Sequence, residues 1–444
     1  MTKKELSSSP VRIGMCGFGT VGKGIFSVLK RNSSEITRRI GRSISISHLG
    51  IRRNYRDFDF GDCKISYDLL AVPTDPEVDI FIEVIGGTNL AKILVERAID
   101  SGKNVVTANK ALIAEYGNSL FTRAQKRGVS IYYEASVGGG IPVIKAIREG
   151  LAGNKIEWIV GIINGTANFI LTGMSEYGRV FSQELQTAQK LGYAEADPSF
   201  DVNGTDAAHK LAILASLAFG IPINFKDIHV EGIEEIEPID LAHASSLGFT
   251  IKHLAIARRT ESGIQQRVHI ALVSKKSILA NVNGVMNAVQ VNGDASGSSL
   301  FYGAGAGSEP TASSIIADVM DISRKLSSDL IDDGLNCGFH SAHIYNIPHV
   351  SIDDIFCPFY VRFEVKDEIG VLAQISKVFS DEGVSIESVR QQDSGLSGSV
   401  SLVLLTHAVR EGSLNTAIKF IETNSFVIGS ARKIRVELLD EVSQ

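Results

Sequence analysis

The stretch Val11-Arg-Ile-Gly-Met-Cys-Gly-Phe-Gly-Thr-Val-Gly22 decides the fold of the first part of the chain. Its strand-like beginning predicts a buried strand, and apolar residues at helical spacing follow its glycines. Gly17 would permit a tight turn, Gly19 would let backbone N–H groups approach a pyrophosphate, and Gly22 would allow close helix packing. Because a helix N-terminus also carries partial positive charge, the stretch predicts a dinucleotide-binding site rather than a merely glycine-rich turn.

Strands and helices continue to alternate after this site. Further strands are predicted at 44–51, 78–84, 104–107 and 129–133, with a helix at 90–99. This alternation predicts an α/β fold with a doubly wound parallel sheet of the Rossmann type.

Two arginines follow the second predicted strand. An NAD-specific site would place an acidic side chain there against the ribose hydroxyls, whereas this chain has Arg52 and Arg53. Two guanidinium groups would neutralise a ribose 2′-phosphate, so the sequence favours NADP. NAD remains possible, because charged pairs also end strands in ordinary solvated turns.

Composition restricts the possible partners. The chain has 444 residues, 44% of them hydrophobic and 21% charged, which is typical of a soluble protein with two to four domains. Its net charge of −6 gives no positive field for nucleic acid, so a small-molecule partner is favoured. Four cysteines without CxxC spacing, and no apolar run long enough for a membrane span or signal peptide, predict a cytoplasmic protein.

Four later motifs resemble those of homoserine dehydrogenases. They are VVTANKALIA at 105–114, EASVGGGIPVI at 134–144, GIINGTANFIL at 161–171 and LGYAEADPSFDVNGTDAAHKLAIL at 191–214. The resemblance covers about residues 11–345, and its last motif is highly specific. It implies NAD(P)-dependent interconversion of L-aspartate 4-semialdehyde and L-homoserine, in the biosynthesis of threonine, methionine and isoleucine.

The last motif contains a candidate proton donor. Asp206 and Lys210 are four residues apart on a predicted helix and therefore share one face. Hydride transfer to an aldehyde leaves an alkoxide, which needs a proton donor within hydrogen-bond reach. A lysine can serve when burial and a second positive charge lower its pKa, and Lys110 could supply that charge. From the residues alone, a solvated helix ion pair is equally open.

The resemblance also implies the roles of individual residues. Lys210 would be the general acid/base, Lys110 would position the substrate near the nicotinamide, and Asp206 would orient Lys210 or a bridging water. Acidic residues that would bind the substrate's amino end, and residues that would line its pocket, are Glu195 and Asp201, and Gly165, Thr166 and Tyr193. The predicted cofactor-binding residues are Gly17, Phe18, Gly19, Thr20, Val21, Gly22, Arg52, Arg53, Thr88, Lys110 and Gly307.

A glycine-rich stretch from Glu134 to Ile141 raises the possibility of a cation site. Its irregular backbone could turn several carbonyl oxygens toward one point beside the Glu134 carboxylate. The resemblance implies a sodium or potassium ion bound through the carbonyls of Val137, Gly139 and Ile141. The alternative is a tight strand-to-helix crossover in which the glycines serve backbone geometry alone.

A new pattern begins after a proline-containing loop near residue 350. Its predicted order is that of a ferredoxin-like βαββαβ domain, and DEIGVLAQI at 367–375 resembles the loop-to-helix signature of amino-acid-binding ACT domains. Gly370 would let the backbone approach a ligand, and the helix start would supply N–H donors. We hypothesise feedback inhibition by threonine; a dimerisation module without a ligand is the alternative.

The predicted organisation has three domains and a linker. They are a Rossmann domain at 1–141 completed by 305–345, a mixed-sheet α+β catalytic and dimerisation domain at 142–304, a linker at 346–357, and the ACT domain at 358–444. We expect a homodimer or homotetramer.

Two other functions remain open. A semialdehyde dehydrogenase acting through a thiohemiacetal would need an activated cysteine, and neither Cys16 nor Cys357 is well placed for that chemistry. A non-catalytic amino-acid sensor that retains the nucleotide fold is the second alternative. The presence of Lys110, Asp206 and Lys210 argues against it.

Overall fold

The structure is a computed structural model that describes residues 9–326, 337–393 and 398–439. Its contacts divide the chain into two compact units. The first unit comprises Met1–Gly165, Asp206–Ile228 and Met286–Ile347, and the second comprises Thr166–Thr205, His229–Val285 and Pro348–Gln444. Within the described ranges, no helix combines the length and apolar character that a bilayer crossing requires.

The strands of the described residues are numbered in chain order. They are β1 Val11–Cys16, β2 Ile44–Gly50, β3 Lys64–Ser66, β4 Ile80–Glu83, β5 Asn104–Thr107, β6 Ile131–Tyr132, β7 Ile156–Ile162, β8 His229–Val230, β9 Phe249–Thr260, β10 Gly263–Ser274, β11 Met286–Gly293, β12 Gly297–Ala304, β13 Phe356–Cys357, β14 Phe359–Lys366, β15 Ile386–Asp393, β16 Ser399–Thr406, β17 Val409–Arg410 and β18 Val427–Glu437.

The α-helices of the same ranges are α1 Thr20–Ile40, α2 Asn89–Asp100, α3 Lys110–Arg127, α4 Val143–Lys145, α5 Gly165–Tyr177, α6 Phe181–Lys190, α7 Ser199–Val202, α8 Thr205–Phe219, α9 Pro238–Ser246, α10 Ser308–Leu326, α11 Val371–Asp381 and α12 Glu411–Glu422. A π-helical turn, Ala146–Gly150, continues α4.

The first unit contains the predicted doubly wound sheet. Its six parallel strands have the order β3-β2-β1-β4-β5-β6, so the strand order reverses between β1 and β4. Ligands of such folds bind in the crevice at this reversal, outside the carboxyl ends of the strands. Helix α10 shares the core of α1 through buried Ile315 and Val319. A Cβ at Gly24 would lie 2.4 Å from the carbonyl oxygen of Ser308, so this glycine permits the close approach of the two helices.

A smaller antiparallel sheet and a buried helix complete the first unit. The sheet has the order β12-β11-β7 within this unit. Every residue of α8 from Asp206 to Phe219 is buried. A helix that is apolar around its whole circumference is expected to be buried, so the charged side chains at 206 and 210 are exceptions that need partners.

The second unit contains the predicted βαββαβ order. Strands β14, β16, β15 and β18 form its sheet with α11 and α12, and their facing side chains make one core. The last strand, β18, also pairs in parallel with β10, through Ala271↔Arg435 and its neighbours. The ACT-like sheet is therefore continuous with the β9–β10 hairpin of the same unit.

Two strand regions extend beyond their apolar residues. Strand β18 begins at Val427, before its buried end at Ile434–Glu437, because the polar residues before Ile434 pair with β14 through their backbone across an irregular register. The hairpin of β9 and β10 likewise continues through polar positions, such as the pairing of Arg259 with Ile264. Apolar alternation marks the buried part of a strand and misses a ladder that continues into polar residues.

Candidate active site

The glycine loop between β1 and α1 has the geometry of a nucleotide cradle. A Cβ at Gly17 would lie 2.4 Å from the Val84 carbonyl oxygen, and one at Gly22 would lie 2.5 Å from the Gly17 carbonyl oxygen. Gly19, by contrast, faces open space, with no atom within 4 Å of such a Cβ. The loop therefore packs against the protein on one side and exposes backbone to an approaching ligand on the other.

A cavity of about 290 Å³ adjoins this loop at the reversal of strand order. Phe18 lines it, as do Arg52 and Arg53 after the end of β2. The neighbouring predicted residues begin or precede helices: Thr20 begins α1, Thr88 precedes α2, and Gly307 precedes α10 with a φ of 125°. The Ser308 hydroxyl donates to the Thr20 carbonyl at 2.7 Å, which holds the starts of α1 and α10 together.

Glu83 is a site residue that the sequence analysis missed. It ends β4 with its side chain fully buried, and burial raises its pKa. The carboxylate accepts a hydrogen bond from the Thr107 hydroxyl at 2.7 Å and one from the Ile85 backbone N–H at 2.9 Å. Glu83 therefore fixes the loop after β4, which lines the nucleotide cavity. The sequence feature that could have indicated Glu83 is its position as the single acidic residue at the end of an apolar strand.

Lys110 occupies the first position of α3, where Asn109 caps the helix. The Asn109 side chain accepts from the Leu112 backbone N–H at 3.1 Å and donates to the Gly87 carbonyl at 2.6 Å. An asparagine at this position satisfies one of the otherwise unpaired N–H groups of the first turn. The same residue thus starts the helix that carries Lys110 and ties it to the loop after β4.

Two lysines meet at one carboxylate in the first unit. The Lys110 ammonium lies 2.6 Å from Oδ1 of Asp206, and the Lys210 ammonium lies 2.7 Å from Oδ2. Lys210 and Asp206 are one turn apart on α8, as the sequence predicted, and Lys210 also donates to the Ile163 carbonyl at 2.7 Å. We call Lys110, Asp206 and Lys210 the lysine cluster.

With both lysines protonated, the lysine cluster carries one net positive charge. Burial alone would raise the pKa of Asp206, but the adjacent Lys210 and Lys110 hold it below its ordinary value. Asp206 is therefore an anion that serves two cations. Asp206 is 2% exposed, whereas the Lys110 side chain remains 33% exposed. The cluster is thus closed on the side of the carboxylate and accessible from the side of Lys110.

Asn164 is a second residue that the sequence analysis missed. It follows β7 within the motif at 161–171, and its side-chain amide donates to Oδ2 of Asp206 at 2.8 Å. That oxygen also accepts from Lys210, so Asn164 helps to fix the carboxylate that orients the lysine. A polar residue directly after a buried strand, next to Gly165, was the signal for it.

The other predicted substrate residues lie in the second unit, apart from Gly165. The Thr166 hydroxyl donates to the Tyr193 carbonyl at 2.7 Å, and the Tyr193 ring contacts Phe169 edge to face at 5.1 Å between centroids. Glu195 is exposed, and Asp201 lies half-buried in the short helix α7. The structure therefore places Thr166 and Tyr193 together, with Glu195 on a loop and Asp201 in α7.

At the predicted cation site, backbone N–H groups hold the buried carboxylate of Glu134 in place. The two oxygens of Glu134 accept from the backbone N–H groups of Ile144 and Lys145, at 2.9 and 2.7 Å. Its own N–H donates to the carboxylate of buried Asp318 at 2.9 Å. Burial raises the pKa of Glu134 to about 7 and raises the pKa of Asp318.

Two carbonyl oxygens of the stretch from Glu134 to Ile141 each accept a hydrogen bond from the protein. The Gly139 carbonyl accepts from the Ser314 hydroxyl at 2.6 Å, and the Ile141 carbonyl accepts from the Val143 N–H at 2.8 Å. A carbonyl oxygen has two lone pairs, so each could accept a further contact. Within the described ranges, no three His, Cys, Asp or Glu side chains are grouped as metal ligands. A cation here would thus rely on carbonyl oxygens and Glu134, a donor set of the hard-oxygen kind.

A second cavity lies in the ACT-like sheet. It has a volume of about 550 Å³ and is bounded by the loop at Asp367–Gly370, the start of α11, and Gln391 on β15. Gly370 has a φ of 90° and no atom within 4 Å of a Cβ position, so its backbone faces open space directly before the helix. This geometry can offer helix N–H groups to a carboxylate and the nearby acids to an amine.

Family models match three parts of the chain. The homoserine dehydrogenase NAD-binding model matches residues 17–134, the homoserine dehydrogenase model matches 142–320, and the ACT domain model matches 359–422. The chain is 51% identical to a homoserine dehydrogenase of Pseudomonas aeruginosa over 432 residues, which cover 97% of this chain and all of that relative.

The chain is also similar to solved structures of homoserine dehydrogenases. A homoserine dehydrogenase from Thiobacillus denitrificans has a TM-score of 0.91 and 45% identity, over 97% of this chain and 99% of that one. A hyperthermophilic archaeal homoserine dehydrogenase in complex with NADPH has a TM-score of 0.61 and 26% identity, over 73% of this chain and all of that one.

Proposed function

The chain belongs to the homoserine dehydrogenase family, and from this premise we propose that it interconverts L-aspartate 4-semialdehyde and L-homoserine with NADP as its preferred cofactor. The observation that carries the proposal is the lysine cluster, in which two ammonium groups share one buried carboxylate. We place the reaction in the cytoplasm and in the biosynthesis of threonine, methionine and isoleucine. The predicted division into a Rossmann domain, a catalytic domain and an ACT domain remains part of the proposal.

We assign the proton transfer to Lys210. A reduced nicotinamide bound at the glycine loop would supply the hydride, which leaves negative charge on the aldehyde oxygen. Lys210 donates a proton to that oxygen and takes it back in the reverse direction. Its position is fixed by the Ile163 carbonyl and Asp206, each 2.7 Å from its ammonium. A donor held by two acceptors needs little reorganisation when the oxygen becomes basic.

Lys110 and Asp206 have supporting roles in this proposal. Lys110 is the more exposed lysine, and its ammonium positions the aldehyde oxygen while its charge favours the developing alkoxide. Asp206 orients both ammonium groups. Because one carboxylate balances only one of two cations, the cluster keeps the positive charge that an alkoxide requires.

The substrate's amino end would bind to acidic side chains of the loop before α8. Glu195 and Asp201 supply these carboxylates, and Gly165, Thr166 and Tyr193 line the pocket. The hydrogen bond from the Thr166 hydroxyl to the Tyr193 carbonyl supports this grouping.

The preference for NADP rests on charge at the end of β2. Arg52 and Arg53 line the cavity beside the glycine loop, where a 2′-phosphate would need cations. The similar archaeal protein was solved with NADPH, which adds support from a relative. The glycine loop, Thr88 and Gly307 would complete the cofactor site.

A monovalent cation is the third proposed ligand. Glu134 and the carbonyls of Val137, Gly139 and Ile141 would hold it, and it would neutralise a carboxylate whose pKa burial has raised. The expected readout is a sodium- or potassium-dependent rise in the unfolding temperature that Glu134→Gln abolishes. An unchanged melting temperature in choline, sodium and potassium salts would leave the stretch as a crossover only.

Threonine is the proposed effector, and the cavity at Gly370 is its proposed site in a homodimer or homotetramer. The supporting observations are the open backbone before α11 and the acids Asp367 and Glu368 beside it. Equilibrium dialysis with labelled threonine should give saturable binding to the wild type and weaker binding to Asp367→Asn. Absence of binding, together with a dimer in sedimentation, would support the dimerisation module instead.

The reaction itself is tested by steady-state kinetics with aspartate 4-semialdehyde. We expect turnover with NADPH at lower KM than with NADH, and homoserine formation in equal amount to the cofactor oxidised. An enzyme that uses NADH equally well would retain the reaction and lose the NADP preference. No turnover with either cofactor would overturn the proposed function.

A further inference from the structure

The segment that follows β2 folds back over the glycine loop through aromatic rings. Phe18 of the loop is buried, and its ring centroid lies 4.8 Å from that of Tyr55, 4.6 Å from Phe58 and 4.9 Å from Phe60. Such edge-to-face contacts each add a modest stabilisation beyond burial. The position of the segment that carries Arg53 is therefore fixed relative to the start of α1.

Two cations converge on the Tyr55 ring from different elements. The Arg53 guanidinium lies 5.0 Å from the ring centroid and donates from Nε to the Tyr55 hydroxyl at 3.0 Å. The Lys23 ammonium, on the first turn of α1, lies 5.6 Å from the same centroid. Cations at these distances are attracted by the ring quadrupole, which holds both side chains near one point.

These side chains line a cavity of about 590 Å³, larger than the one beside the glycine loop. Its charged lining residues are Lys23, Arg53 and Arg56 together with one acid, Asp57. Arg53 and Tyr55 line both cavities, so the two spaces adjoin at these residues. Arg52 lines the smaller cavity beside Gly19. Three cations against one carboxylate make the larger cavity a site for an anionic group.

We propose that Lys23 is a specificity-determining residue that binds, together with Arg53, the 2′-phosphate of the cofactor, with Tyr55 holding both cations in place. This inference rests on the proposed NADP preference and assigns it to a residue outside the arginine pair at the strand end. Lys23 lies one turn into the helix whose N-terminus would face the pyrophosphate. A cofactor whose pyrophosphate lies at the glycine loop would extend towards Lys23 past Arg53 and Tyr55, which line both cavities.

The role of Lys23 differs from that of Arg52 in a measurable way. Lys23 should affect the affinity only for ligands with a 2′-phosphate, because it lines the larger cavity. Of the two arginines at the strand end, only Arg53 lines the larger cavity, so we assign the 2′-phosphate to Arg53 and not to Arg52. Arg52 lies beside the glycine loop and should affect adenosine ligands with and without that phosphate alike. Asp57 opposes the anion, so its removal should act in the opposite direction to removal of Lys23.

The test measures binding of adenosine 2′,5′-bisphosphate and adenosine 5′-monophosphate to the full chain by calorimetry. The wild type should prefer the bisphosphate. Lys23→Gln should reduce that preference ~10-fold, the cost of losing one charged contact, with unchanged monophosphate affinity. Asp57→Asn should increase the preference, and Arg52→Gln should change both affinities by similar factors. Lys23 is exposed, so its variant should keep the wild-type melting temperature.

The outcomes separate the two proposals. A wild type without preference for the bisphosphate overturns the NADP preference and, with it, the role of Lys23. A wild type that prefers the bisphosphate while Lys23→Gln retains the full preference overturns the role of Lys23 alone. In that case, loss of the preference in Arg52→Gln would assign the 2′-phosphate to the strand end.

Discussion

Two buried charge clusters in this molecule differ in how they are balanced. In the lysine cluster, one carboxylate serves two lysines, and Lys110 remains partly exposed. In the second unit, Arg435 of β18 binds two carboxylates. Its Nε donates to Glu411 of α12 at 2.8 Å, and its Nη2 donates to Glu231, which follows β8, at 2.8 Å. We call Glu231, Glu411 and Arg435 the arginine cluster. The first cluster has two cations for one carboxylate, whereas in the second each carboxylate has its own cation, because Lys433 also contacts Glu411.

The pKa directions show the same contrast. Burial alone would lower the pKa of Arg435, yet its two carboxylates raise it, and Glu231 is held well below its ordinary pKa by His229 and Arg435. Arg435 and Glu231 are thus both stabilised in their ionised forms. Lys433 adds a further contact to Glu411 at 2.6 Å. An ion network in which each charge has a partner of opposite sign fixes β18 in its unit. A network with an unbalanced cation can bind a substrate.

The largest expected effect is on turnover and comes from the lysine cluster. Lys210→Met should lower kcat by roughly 10²–10⁴-fold, because general acid catalysis contributes that much, while NADPH affinity remains. The unfolding temperature should change little, since methionine fills the same space and the ammonium of Lys110 still balances the charge of Asp206. Parallel kinetics and calorimetry would check this. A large loss of stability with nearly normal turnover would assign Lys210 a structural role.

The next effect is on stability and comes from the arginine cluster. Arg435→Met leaves buried Glu411 without this partner, which should cost about 3–5 kcal/mol of unfolding free energy. Arg432→Met is the matched control on the same strand. Its partner, Glu235, is exposed, so the change should be within about 1 kcal/mol. Equal losses in chemical denaturation of the two variants would contradict the special position of Arg435.

A smaller effect on turnover should follow from the carboxylate of the lysine cluster. Asp206→Asn keeps a hydrogen-bond acceptor but removes the charge between the lysines, so kcat should fall by roughly 10–100-fold through misorientation of Lys210. The pH dependence of kcat should also shift to lower pH in the variant, because loss of the anion favours the neutral lysines. An unchanged pH profile would show that Asp206 does not act through the lysines.

The smallest expected effect is on the pH dependence of stability, beside the arginine cluster. Burial and the nearby Arg435 and Arg267 hold the pKa of His269 well below its ordinary value, and Arg267 donates to its ring at 3.1 Å. The unfolded chain binds a proton at this histidine near pH 6.5, while the folded chain does not. Stability should therefore fall as the pH drops below about 6.5, by at most ~1.4 kcal/mol per pH unit.

The matched variant for this effect is His269→Gln, which keeps an acceptor for Arg267 and does not titrate. Its unfolding free energy should fall less steeply than that of the wild type between about pH 6.5 and 5. The difference in slope should correspond to one proton. Parallel slopes for the two proteins would mean that His269 is protonated in the folded state as well.

Most of the fold was predictable because local signals agree with it. The glycine loop at 17–22 and the alternation after it predict the parallel sheet, and the signature at 367–375 predicts the βαββαβ domain. The join between β10 and β18 was not predictable. It depends on pairing between residues 271 and 435, which no local pattern encodes.

The candidate site was predictable where spacing within one helix decides it. Asp206 and Lys210 share a face of α8 because they are four residues apart. The sequence indicated that Lys110 would join them only through the family resemblance, and it did not indicate that Asp206 would stand between the two lysines. Asn164, Glu83 and Lys23 were missed because each acts through a contact with a residue distant in sequence.

If the ammonium at position 210 is the proton donor, an added amine should replace it in a variant that lacks the side chain. Lys210→Ala should be nearly inactive and should regain turnover as methylamine or ethylamine is added, because a small ammonium can enter the space of the deleted side chain. The rescued rate should depend on the acidity of the amine, as expected for proton transfer. If amines fail to rescue Lys210→Ala but restore Lys110→Ala, with acidity-dependent rates, the proton comes from Lys110 and not from Lys210.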